Sequence, residues 1–116
     1  MGDQAGWHRY DQGKSIGTSG SEKGVILRDD EHGADARISL ERDTSVAPFA
    51  ITSGLYGWFF HTRFFGSQVE ADTAFSEMKT EMEKIIAPLP NAEAGRKEAE
   101  SAVLDAISRF VDRFPT

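Results

Sequence analysis

The chain has 116 residues, a net charge of −6 and no cysteine. That length suits one domain, the acidic balance opposes binding to nucleic acid or to an anionic membrane surface, and the missing cysteine excludes disulfides, thiol catalysis and thiolate metal sites. No run approaches the roughly 18 consecutive apolar residues of a transmembrane helix and no signal-like run opens the chain, so a soluble cytoplasmic protein is expected.

Residues 1–23 are rich in Gly, Ser and charge, with isolated Trp7 and Tyr10, a composition that predicts a flexible N-terminal arm. Within it Gly13-Lys14-Ser15 matches the end of a phosphate-binding loop. His8 stands where the first glycine of that motif belongs, and no strand precedes it, so nucleotide binding is set aside. Residues 24–116 are expected to form a single α+β domain.

Residues 24–43 predict a β-hairpin turning at His32-Gly33. A two-residue turn there pairs Leu27 with Ile38 and Val25 with Leu40 on one apolar face. The opposite face then carries Ile26, Arg28, Arg37, Ser39 and Glu41. Asp29, Asp30, Glu31, His32 and Asp35 crowd the turn. Their spacing does not match a calcium loop, and they are expected to be solvated.

Residues 47–65 predict a second hairpin. Its core, residues 54–65, holds Tyr56, Trp58, Phe59, Phe60, Phe64 and Phe65, half of the chain's Phe, Trp and Tyr. Rings of this size dominate burial energy. A turn centred on Leu55-Tyr56 pairs Ile51 with Phe60 and Phe49 with Thr62. That arrangement puts Phe49, Ile51, Trp58, Phe60 and Phe64 on an apolar face. Thr52, Phe59, His61, Arg63 and Phe65 fall on a mixed one.

Ser67 followed by Glu70 is the spacing of a capping box and starts a helix. Its stripe is Ala71, Phe75, Met78, Met82, Ile85 and Ile86, with Glu77, Lys79, Glu81, Glu83 and Lys84 expected to be solvated. Pro88 and Pro90 end it near Ala87. Asn91 is expected to cap a second helix running to Phe114. Its stripe is Ala99, Val103, Ile107, Phe110 and Phe114, widened by Leu104 and Val111. Strands followed by helices predict an α+β fold: a four-stranded antiparallel sheet of two consecutive hairpins, with an αα-hairpin packed on one face.

His8, His32 and His61 fall in the arm, a turn and a strand without zinc-ligand spacing, so no metal or other cofactor is expected. Thr52 beside His61 lacks a third orienting group, and no catalytic residue is assigned. The feature that stands out is the mixed sheet face. If both hairpins share one sheet, Arg28, Arg37, His61 and Arg63 project together beside Ile26, Phe59 and Phe65. Aromatic residues and arginine are enriched at interfaces. The expected function is therefore a non-catalytic interaction protein that forms a homodimer through this face, anchored by Phe59, Phe65 and Ile26. The alternative is a domain that binds a small anionic ligand, or an enzyme acting on one, with Arg28, Arg37, His61 and Arg63 around the anion.

Overall fold

A computed structural model describes residues 6–33 and 35–115 of the chain. They form an α+β fold with an antiparallel sheet of five strands and, among the described residues, three α-helices. The strands are β1 (Trp7–Arg9), β2 (Val25–His32), β3 (Ala36–Arg42), β4 (Phe49–Leu55) and β5 (Phe59–Phe65), and they lie side by side in chain order. The helices are α1 (Gln68–Ile86), α2 (Leu89–Glu93) and α3 (Lys97–Arg113). Two compact units result, one ending at Phe75 and the other spanning Ser76–Pro115.

The four expected strands are present, but both hairpin registers differ from expectation. The second hairpin turns through Tyr56, Gly57 and Trp58, and Leu55 pairs with Phe59 and Ile51 with Arg63. A three-residue turn replaces the expected two-residue one and displaces the partner strand by an odd number of positions. Because side chains alternate, an odd displacement exchanges its two faces. The first hairpin slips in the same way, with His32 opposite Ala36 and Asp30 opposite Ile38. That register puts Arg28 opposite Leu40, and an irregularity between Ile26 and Arg28 then leaves Leu27 out of the ladder.

The sheet therefore has two unlike faces. Ile38, Leu40, Ile51 and Leu55 are fully buried on the apolar face. Phe59, His61, Arg63 and Phe65 share it by register. Asp29, Arg37, Ser39, Glu41, Thr52, Phe60, Thr62 and Phe64 occupy the polar face.

Residues 6–23, expected as a flexible arm, carry defined structure. Trp7–Arg9 pairs with Asp30–His32 as the fifth strand. Trp7 is buried at 4% exposure and meets His32 edge-on at 5.2 Å between ring centroids. The strand is too short, and too polar apart from Trp7, to announce itself by alternation.

Ser67 caps the start of α1 where the sequence predicts it, with Glu70 bonded to its hydroxyl. The Glu70 amide donates to Ser67 Oγ at 3.3 Å, and that hydroxyl donates to the Glu70 carboxylate at 3.0 Å. Ala71, Phe75, Met78, Met82 and Ile85 are buried. In the first unit, the Arg28 guanidinium lies 4.1 Å from the centre of the Phe75 ring, a cation–π contact.

In the second unit the expected single helix is interrupted. It breaks at Ala94-Gly95, where Gly95 takes φ +89 and closes α2. Pro90 sits in the first turn of α2, where a missing N–H does no harm. Arg113 near the end of α3 pairs with Glu81 at 3.2 Å and Glu77 at 3.6 Å on α1. Val103, Ala106, Phe110 and Phe114 are buried, whereas Leu104, expected to widen the stripe, is exposed. Lys79, expected on a solvated face, is buried at 2%. It lies one turn from Phe75 and Met82, inside the stripe rather than opposite it.

Candidate functional site

The polar face is crossed by the segment between β1 and β2. Tyr10–Gly13 forms a tight turn in which Asp11 and Gln12 adopt left-handed backbone angles. Residues 14–24 then fold back as a strap. The Gly17 amide donates to the Ile26 carbonyl at 2.8 Å, and the Ile26 amide to the Thr18 carbonyl at 2.9 Å. Further along, the Ser21 hydroxyl lies 3.4 Å from that of Thr52 on β4. The strap thus spans from β2 across β3 to β4.

Two buried carboxylates hold it. Glu41 is fully buried and accepts hydrogen bonds from the backbone amides of Glu22 at 3.1 Å and Gly24 at 3.0 Å. A carboxylate removed from water is tolerable when such donors surround it. Asp29, at 1% exposure, accepts from the Ser15 hydroxyl at 2.8 Å. It also accepts a two-pronged pair from Arg37, Nε at 2.9 Å and Nη2 at 2.6 Å. The Arg37 guanidinium is stacked 3.5 Å from the centre of the Tyr10 ring.

The hydrogen bonds to Asp29 raise the Arg37 pKa above the ordinary arginine value, against the opposing effect of burial. A raised pKa on a cation contributes stability that is present at all pH below the ordinary value and is lost only as pH rises through the folded one. The arginine half of this pair is therefore insensitive to pH near neutrality.

Between strap and sheet lies a cleft of 310 Å³, lined by Ser19, Gly20, Ser21, Ser39, Thr52 and Phe60 with Arg37 at its margin. A second hollow of 200 Å³ is bounded by Tyr10, Glu31, Asp35 and Tyr56 and shares Arg37, Gly54 and Phe60 with the first. Phe60 is the hinge of this surface. It pairs with Gly54 across the ladder, and a Cβ at Gly54 would stand 2.4 Å from its ring. The glycine therefore makes room for the aromatic ring to lie on the sheet. Even so, Phe60 remains 75% exposed, as does Tyr56.

Beyond Phe60 the sheet ends at β5. Among the described residues its one strand neighbour is β4. A row of hydroxyls leads to this edge, Ser21 to Thr52 at 3.4 Å and Thr52 to Thr62 at 3.3 Å.

The residues singled out from sequence do not form one cluster. Arg37 lies on the polar face, whereas Arg28, His61 and Arg63 belong to the apolar one. Arg28 is over Phe75 and Arg63 lies 5.1 Å from the Phe65 ring. Of the three expected anchors, Ile26 (5% exposed) and Phe65 (8%) are buried within the chain, and Phe59 is half-buried. Asp29, expected to be solvated, is the buried partner of Arg37. Among the described residues no group of three or more His, Asp or Glu side chains is placed to hold a metal ion, and no helix is long and apolar enough to cross a membrane. Sequence reading missed Ser15, Tyr10, Ser21 and Phe60 as parts of this surface. A register with three-residue turns would have put Phe60 beside Thr52 and Arg37.

No protein-family model, curated protein or solved structure matches this chain.

Proposed function

We propose that the chain is a non-catalytic interaction protein that self-associates through its sheet. The observation that supports this reading is the β5 edge. It is seven residues long and contains no proline, and among the described residues it has a strand partner on one side only. Edge strands that must stay solitary are usually short, bulged, broken by proline or guarded by charge; of these β5 has only the charge of Arg63. Phe60 adds an exposed ring at that edge, the residue type that anchors interfaces. Size-exclusion chromatography with light scattering, over a concentration series into the high micromolar range, is the test. A dimer is expected, with Phe60→Lys shifting it toward monomer. A wild-type chain that stays monomeric throughout overturns the reading.

The cleft favours a second reading, a binding domain for a small anionic ligand with Arg37 as its cation. Arg37 supplies the charge, and Ser39, Thr52 and Ser21 supply donors around one cavity. Binding raises stability by mass action, about 2.7 kcal/mol at a hundredfold excess over Kd. Thermal denaturation with a panel of small carboxylates and phosphates should therefore show a raised Tm for at least one member. A flat response across the panel, with chloride as reference, removes this reading.

A further inference from the structure

The β5 strand reads Phe59-Phe60-His61-Thr62-Arg63-Phe64-Phe65. About Thr62 it is nearly a palindrome: aromatic doublets at both ends, a basic-type residue on each side of the centre, and a threonine at the middle. A two-fold axis relating antiparallel copies of one strand must pass through a single point of that strand. We infer that the partner of this edge is a second copy of the chain, joined antiparallel about a two-fold axis through Thr62. The inference rests on the self-association proposed above and specifies its register.

The axis stands perpendicular to the sheet, so each face of one copy continues as the same face of the other. Across the seam Phe60 meets the partner's Phe64, Phe59 meets the partner's Phe65, and His61 meets the partner's Arg63. Thr62 meets itself. Aromatic pairs and threonine pairs are favourable cross-strand combinations. Moving the centre to His61 sets Phe60 against Thr62 and Phe59 against Arg63, and so leaves no aromatic pair within β5. Phe60, 75% exposed in the single chain, gains a ring beside it. The hydroxyl row from Ser21 through Thr52 ends at Thr62, so the two-fold joins the rows of both copies.

The assembly also closes. Joining two β5 strands gives a sheet whose outer edges, among the described residues, are both β1, three residues long. An edge that short offers little to a further strand. An isologous dimer is thus expected, not a fibre.

The absence of cysteine from the chain makes the test specific. In an antiparallel pair, facing Cα atoms are about 4.5–5.5 Å apart, within the span of a disulfide. Thr62→Cys, held in a glutathione redox buffer, should form a covalent dimer at least tenfold faster than Val69→Cys, whose position is 77% exposed and off the strand. Isotope-filtered NOE spectra of mixed labelled and unlabelled wild-type chains provide a second measurement that needs no variant. They should show contacts between Phe60 of one copy and Phe64 of the other. If the wild type is a dimer but Thr62→Cys cross-links no faster than the control, or the Phe60–Phe64 contacts are missing, the register is overturned and self-association by another surface stands. If the wild type is a monomer, both fall.

Discussion

The two faces of the sheet are held by different physics. On one, Ile38, Leu40, Ile51 and Leu55 are removed from water entirely. Their stabilisation scales with apolar area and has no preferred direction. On the other, the buried groups are Asp29 and Glu41, and what they bind is a strap with few apolar side chains of its own. Glu41 holds that strap by backbone amides, and Asp29 holds it by Ser15. Charge-assisted hydrogen bonds are directional and strong only while their geometry lasts. The second face is therefore expected to lose its cover without losing the sheet. The surface that carries the cleft and Phe60 is built on the second kind of support.

The largest effect should come from the apolar face. Leu40→Ala opens a cavity at a position with no exposure, and such truncations cost about 2–5 kcal/mol. Chemical denaturation followed by tryptophan fluorescence should show the loss. Trp7 lies on β1 and Trp58 in the β4–β5 turn, so the signal reports the sheet unit from both of its ends. The transition should move as one, because the residue touches the shared core of that unit. A loss below about 1 kcal/mol would mean that the apolar face is not the part that holds the sheet together.

The elements of this fold were legible where local chemistry decides. Ser67 and Glu70 mark the start of α1 by a reciprocal bond that needs nothing from the rest of the chain. The alternation of Ile38 and Leu40 identifies a buried strand face in any register. The register itself was not legible, and the reason lies in the doublets Phe59-Phe60 and Phe64-Phe65. With an aromatic ring on each face at both ends of β5, shifting the strand by an odd number of residues leaves an equally apolar pattern. The hydrophobic signal that normally forbids such a slip is silent there. Turn length then decides, and Leu55-Tyr56-Gly57-Trp58 admits both a two-residue and a three-residue turn. The cluster of Arg28, Arg37, His61 and Arg63 was a consequence of that choice and dissolves with it.

The strap was illegible for a different reason. It has no apolar period, and its anchor Glu41 reads as an ordinary exposed strand residue until the amides of Glu22 and Gly24 are seen to surround it.

A smaller and more local effect should follow from Glu41→Gln. The amide keeps the shape and one acceptor oxygen but removes the charge that strengthens the bonds to the Glu22 and Gly24 amides, a loss of about 1–2 kcal/mol. Where that loss appears matters more than its size. If the strap is a separate cover, hydrogen exchange at Glu22 and Gly24 should accelerate about tenfold or more while the amides of Leu40 and Ile51 keep their protection, because the strap can open without the strands parting. If protection at Leu40 falls in step with that at Gly24, strap and sheet open together and the two faces form one cooperative unit. The contrast also bears on the edge. A strap that opens alone uncovers Thr52 and frees the hydroxyl row that ends at Thr62, while the aromatic pairs of the proposed β5 seam would stay in place. Glu41→Gln should then weaken the proposed dimer only slightly and Phe60→Lys should break it, and the reverse order would place the association surface on the strap instead of the strand.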